Sequence, residues 1–208
     1  MTGTKKTMAA HGPAGSERNR AAFSLLELLV VIAILGIVAT LSIPAFSSMS
    51  RARNVTQAGQ ILADHIAQAR QQASLKNREV EVRFITVQES GVPVVRAIQL
   101  WMANPSGTSP AAIGRVDVLP AGTQIATNAT LSPLLTADPT ITGTMTVSGY
   151  GNCTYTGIRM DSAGSLGGSI SGNNFLTIHA KVDTAVPPDN YVTLRVNPVT
   201  GRVTEYRR

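Results

Sequence analysis

Residues 23–43 read FSLLELLVVIAILGIVATLSI, 21 residues with a single charge, Glu27. At ~1.5 Å per residue, a helix of this length covers roughly 30 Å, the thickness of a bilayer core. Helices buried in soluble proteins rarely stay apolar on every face for so long. A secretory signal peptide has a shorter apolar stretch, about 7–15 residues, and ends at a small-x-small cleavage site. This run has no clear site of that kind at its end. A retained membrane helix is therefore expected over residues 23–44. Ahead of it, residues 1–22 carry Lys5, Lys6, Arg18 and Arg20 against Glu17 alone, so half of the net charge of +6 lies in this short leader. Basic flanks stay on the cytoplasmic side, which sends residues 45–208 across the membrane.

Glu27 requires a reason. A carboxylate inside a membrane helix costs about 2–3 kcal/mol or more, and such groups usually have a functional partner. Phe23 stands four residues before it, directly after the small pair Ala21-Ala22. A cut between Ala22 and Phe23 would create an α-amine one helical turn from Glu27. In a packed bundle of such helices, the carboxylate would pair with the amine of a neighbouring copy.

The run from Ala22 through Phe23, Ser24, Leu25, Leu26, Glu27, Leu28, Leu29 and Val30 to Val31 resembles the cleavage and methylation motif of type IV pilins and type II secretion pseudopilins. The resemblance implies that a prepilin peptidase cuts before Phe23 and methylates the new amine. It also implies that the apolar helix serves first as membrane anchor and later as filament core. Gly36 and Pro44 fall where such helices are loosened or kinked: Pro44 removes a backbone donor, and Gly36 lowers helix preference. The family prefers Gly before the cut, where this chain has Ala22. Met8 offers an alternative start, giving a leader of residues 8–22.

Beyond Pro44 the helical pattern continues to about Arg78. Val55, Ala58, Leu62, Ala69 and Ala73 recur at helical spacing, with Ile61 and Ile66 widening the stripe, so residues 45–78 read as an amphipathic helix lying on a globular domain. The period then changes. Residues 79–87 alternate, and 93–102 form a second apolar run across the Glu89-Ser90-Gly91 turn, a hairpin. Further strands are expected at 114–119, 143–148, 155–160, 174–182, 190–196 and 199–206. Residues 103–112 and the Thr/Pro/Ala-rich 126–142 read as loops, the second long enough to be mobile or functional. The expected fold is α+β and pilin-like: one long N-terminal helix, half membrane and half amphipathic, packed on an antiparallel β-sheet domain over 79–208.

Several segments are similar to GspH/FimT-type minor pseudopilins. These are Ala69-Arg70 through Asn77-Arg78-Glu79-Val80, Val118-Leu119-Pro120-Ala121-Gly122, Ile158-Arg159-Met160-Asp161 with Gly164, and Tyr191 to Val203 ending Thr200-Gly201-Arg202-Val203. The resemblance implies a minor pilin or pseudopilin stored in the inner membrane and built into a pilus-like or secretion filament. Its partners would be other pilins, the prepilin peptidase, an inner-membrane platform protein and membrane lipid. Some FimT-like members bind DNA in natural transformation through a basic C-terminal segment, which makes Arg202, Arg207 and Arg208 candidate DNA contacts, with Tyr206 able to stack a base. Thr204 and Glu205 oppose that reading, and a solvated basic tail is the simpler one. A signal-anchored periplasmic domain that never assembles is a further alternative.

An enzyme is not expected. His11, His65 and His179 are scattered, and no nucleophile–base spacing or metal-ligand pair appears, so neither cofactor nor metal is expected. Asp161 and Asp183 suit turns or strand ends. Cys153, the single cysteine, cannot form an internal disulfide and reads as a half-buried loop residue. Trp101 reads as a core or interface anchor.

Overall fold

The computed structural model describes residues 24–104, 109–136, 141–167 and 173–207, without the side chains of 41–47. The chain divides into two compact units, Met1–Ile43 and Pro44–Arg208. One helix, α1 (Leu25–Lys76), is assigned without interruption through Gly36 and Pro44.

In the first unit every described side chain from Ser24 to Thr40 is exposed, although nearly all are apolar. Ser24 accepts the Leu28 N–H at 3.1 Å in the opening turn. Thr40 satisfies its own hydroxyl by donating to the Ile37 carbonyl at 2.8 Å, so this polar side chain asks nothing of its surroundings. Among the described residues, no helix is long and apolar enough to cross a membrane. The described side chains of the apolar run end at Thr40, and its last residues, 41–43, lie outside them.

In the second unit the amphipathic stripe is real. Val55, Ala58, Leu62, Ile66, Ala69 and Ala73 are fully buried at steps of three and four residues, one face of a 3.6-residue helix. The helix ends two residues earlier than the sequence pattern suggests. Asn77 takes a left-handed conformation (φ 48°), Arg78 N–H reaches back to Ala73 O at 3.1 Å and Asn77 N–H to Ser74 O, a Schellman ending. The Arg78 guanidinium Nε then donates to Ala103 O at 2.8 Å, fastening the helix end to the residue that follows the Val92–Met102 strand.

Among the described residues, ten strands follow: β1 (Val80–Glu89), β2 (Val92–Met102), β3 (Ala111–Val118), β4 (Thr123–Ile125), β5 (Ile141–Val147), β6 (Gly151–Met160), β7 (Leu166–Gly167), β8 (Phe175–Ala180), β9 (Tyr191–Val196) and β10 (Val203–Arg207). The expected α+β architecture is present, but the strands form two antiparallel sheets. The first has the order β3-β2-β1-β6-β5, with β7 pairing β6; the second has the order β10-β9-β8-β4. The β1–β2 hairpin turns on Ser90 (φ 52°) and Gly91 (φ 79°), the two positive-φ positions that a twist-matched two-residue loop demands. Val82 faces Leu100 on one side and Ile158 on the other. These side chains, with Phe84, Ile178 and Leu194, join the helix stripe in one core.

Two expectations are corrected. Cys153 lies in β6, opposite Met145 of β5, and is buried. It belongs to a second small cluster with Ile85, Val87, Ala97 and Val147, on the β1 face opposite Val82 and Phe84. The segment 126–142 is not one free loop. Ala126, Ser132, Leu134 and Leu135 are buried, the last two on a short 3-10 turn (Pro133–Leu135), and the Ser132 hydroxyl accepts the Thr177 N–H at 3.0 Å. Residues 137–140 lie outside the described residues, and 141–142 open β5.

Candidate functional site

The N-terminal site is built on the first turns of α1. Ala22 and Phe23 lie outside the described residues. Glu27 stands in the first turn and is exposed, where the unpaired N–H groups and the helix dipole favour a negative charge. Gly36 is also exposed, with no atom within 4 Å of a Cβ placed there, so this surface admits close approach of another helix. Pro44 continues the helix assignment, and its side chain lies outside the description. A helix apolar on every face and exposed on every face needs a cover, either lipid or other helices.

At the far end of the chain, Arg207 pairs with Glu205 and extends Nη1 to the Thr56 hydroxyl at 3.3 Å. Arg202 is exposed at the base of a turn whose Asn197 side chain accepts the N–H groups of Val199 and Thr200. Strand alternation sets Tyr206 and Arg207 on opposite faces of β10. The structure therefore brings Arg207 to the helix and does not gather Arg202, Tyr206 and Arg207 into one described contact. Arg208 lies outside the described residues.

His65 and His179 serve the fold. His65 Nε2 meets Asp117 Oδ2 of β3 at 2.8 Å. His179 is buried, with Nδ1 3.0 Å from Ala180 O and Nε2 3.3 Å from Gln124 Nε2, an arrangement satisfied when Nδ1 donates and Nε2 accepts. His11 lies outside the described residues. Among the described residues, no group of three or more His, Cys, Asp or Glu side chains could hold a metal.

Asp161 and Asp183 are turn residues. The Asp161 carboxyl is held below its ordinary value first by the Ser165 hydroxyl; burial opposes this, and the N–H groups of Ser165, Ala163 and Gly164 add to it. At Asp183 burial is the largest influence and pushes upward. The N–H groups of Asp189, Ala185 and Asn190 outweigh it and leave the carboxyl lowered.

Trp101 is half-buried on the outer face of the first sheet. The Arg83 guanidinium lies 4.1 Å from the centre of its ring and 4.3 Å from that of Tyr155. Arg83 also binds Glu81 at 2.6 Å, both side chains being about 8% exposed, and Arg159 approaches the other oxygen of Glu81 at 3.7 Å. Sequence reading missed this group, although the alternation in EVEVRF already puts Glu81 and Arg83 on one face. A cleft of about 490 Å³ opens over Arg83, Gln99 and Trp101.

Residues 18–43 match the prokaryotic N-terminal methylation motif, the type IV prepilin-like signal. The motif supports a type IV pilin-like or pseudopilin reading of the chain. It implies membrane anchoring, processing by a prepilin peptidase and assembly with other pilins. No curated protein and no solved structure matches the chain.

Proposed function

We propose that the chain is a minor pilin or pseudopilin of the GspH/FimT type, held in the inner membrane by residues 23–44 with residues 45–208 in the periplasm. The leader 1–22 is removed between Ala22 and Phe23, and the Phe23 amine is methylated. The observation that carries this reading is the helix from Ser24 to Thr40, apolar yet exposed throughout, with Glu27 in its first turn and within the matched motif. Between lipid tails there is no hydrophobic drive for helices to associate, so packing and polar pairs must supply it. Glu27 supplies the polar half by pairing with the Phe23 amine of the next subunit. Gly36 and Pro44 let the helix bend as it leaves the bilayer for the filament. A head-to-tail contact that does not close on itself then propagates as a helical filament. The inner-membrane platform protein drives extraction, and the β-sheet domain makes the lateral contacts.

Mass spectrometry of the chain recovered from cells with and without prepilin peptidase tests the proposal. A mature N-terminus at methylated Phe23, present only with the peptidase, is expected. An uncut chain, or a different N-terminus, would leave an anchored domain with no claim to assembly.

A further inference from the structure

We propose that the free edge of β5 is a docking site for an extended segment of another protein, added as a further strand with a carboxylate directed at Arg83. The site lies wholly within the second unit, so the inference depends neither on cleavage nor on assembly.

An edge strand presents unpaired N–H and C=O groups, and native sheets blunt such edges with charge, bulges or brevity. Here β3 carries Arg115, Asp117 and a register shift against β2. β10 carries Glu205 and Arg207, while β4 and β7 run three and two residues. β5 has none of these devices. It reads ITGTMTV, seven residues with no charge, no proline and unbroken register against β6. Among the described residues it pairs with β6 alone, and every second residue turns its backbone groups to the open side.

The cleft over Arg83, Gln99 and Trp101 runs along this edge. One of its walls is formed by the consecutive residues Thr144–Ser148. Side chains of a strand alternate between faces, so consecutive residues share one wall through the backbone edge. Among the described residues lining the cleft, Arg83 is the one with a charge. Its engagement is one-sided: Nε and Nη2 both donate to Glu81 Oε2, at 2.9 and 2.6 Å, and no hydrogen bond among the described residues uses Nη1. A guanidinium has five N–H donors in a planar fork, so the side formed by Nη1 and Nη2 keeps a parallel pair for a carboxylate.

Nor does Glu81 cancel the charge. Arg159 lies 3.7 Å from its other oxygen, so two guanidiniums face one carboxylate. Glu79, the preceding acid on this face, is exposed and does not line the cleft. The rings of Trp101 and Tyr155, one from each strand flanking β1, hold the guanidinium in place, which lowers the cost of ordering it on binding. The Tyr155 hydroxyl reaches over Gly143, where a Cβ would stand 2.7 Å from it, so a single ring separates the cation from β5. A strand laid on β5 gains ladder hydrogen bonds, and the cation selects an acidic one. The acids in this chain's own described strands are all paired: Glu81 with Arg83, Glu89 with Arg96 and Lys181, Asp117 with His65, Glu205 with Arg207. The acidic segment is therefore assigned to another protein and not to a second copy.

The test uses the full-length chain in detergent micelles. The probes are a seven-residue peptide alternating threonine and valine around a central glutamate, and the same peptide with glutamine. Hydrogen exchange reads residues 141–147, with β9 as control. The glutamate peptide should slow exchange in β5 and leave β9 unchanged, and the glutamine peptide should need about tenfold higher concentration. The double variant Glu81→Leu, Arg83→Met should respond to both peptides alike. Thr144→Asp, an exposed change that sets a negative charge on the edge, should lose protection by the glutamate peptide while β9 exchanges as in the parent. No protection of β5 in the parent chain overturns the docking site, and equal titration by the two peptides overturns the carboxylate. Protection of β5 that rises with chain concentration, without peptide, makes a second copy the occupant and overturns the assignment to another protein. A hexuronate oligosaccharide that protects β5 better than the glutamate peptide overturns the polypeptide reading.

Discussion

Gly59 of the helix lies directly against Val192 of β9: a Cβ at position 59 would stand 2.7 Å from Val192 Cγ1 and 3.3 Å from its Cβ. Val192 is 1% exposed, so its side chain has little room to turn away. The helix tolerates glycine here because only glycine lets its backbone approach the sheet so closely. Gly59→Ala gains about 1 kcal/mol of helix preference, but overpacking costs about 1–3 kcal/mol, and the strand-fixed Val192 makes the second term win. We expect Gly59→Ala to lower stability by about 1 kcal/mol in denaturant titration of the detergent-solubilised chain. Gly59→Ala with Val192→Ala should recover part of the loss, and simple additivity of the two changes would refute the contact.

The Glu81–Arg83 pair predicts an asymmetry. Glu81→Gln leaves a buried guanidinium without its carboxylate, at a cost of about 3 kcal/mol. Replacing both residues, as Glu81→Leu with Arg83→Met, removes the desolvated charges together and should lie much closer to the parent protein. The same titrations decide it: a double variant no better than Glu81→Gln would show that Trp101 and Tyr155 depend on the cation itself.

Asp161 predicts a pH dependence with a definite sign. Its folded carboxyl titrates below the unfolded one, so the stability it contributes is complete above the ordinary carboxylate value of about 4. That contribution is lost as pH falls through the lower, folded value. Asp161→Asn should therefore cost about 1 kcal/mol at pH 7, discounted for partial exposure, and the gap from the parent should narrow as pH falls below about 4. Unfolding curves at pH 7, 5 and 3 measure it; a gap unchanged from pH 7 to pH 3 would assign the effect to turn geometry instead of charge.

Processing and assembly should separate genetically. Ala22→Gly is expected to raise the processed fraction, read by mass spectrometry of membrane extracts. Glu27→Ala should still be cut, because the peptidase acts before Phe23, but it should be missing from sheared filaments while remaining in the membrane fraction. Glu27→Ala found in filaments at parental levels would remove the pairing role from that carboxylate.

Much of this was legible in the sequence, for physical reasons that also mark where reading stopped. The helix stripe from Val55 to Ala73 is legible because its period is local, and the β1–β2 hairpin because Ser90-Gly91 joins two adjacent runs. The division into two sheets is not local: whether β8 pairs with β9 or with β6 depends on contacts across the chain. β4 escaped notice because three residues between Gly122 and Ala126 carry too little alternation to register as a strand. Cys153 reads as a loop residue because Gly151 and Asn152 precede it, yet pairing with β5 draws all three into β6. Leu134 and Leu135 were hidden by their Thr- and Pro-rich surroundings. At the candidate site, charge and spacing singled out Glu27 and Phe23, whereas the place of Arg207 beside Thr56 follows only from the path of β10.

That path also bears on how the second sheet is closed. β10 is its outermost strand and pairs Val203 with Val196 and Arg207 with Val192. Were β10 to peel away, β9 would present a bare edge of unpaired N–H and C=O groups, and the helix would lose its contact at Thr56. One short strand thus shields a sheet edge and fastens the helix in the same stroke, so a change that loosens it would be felt at both places at once.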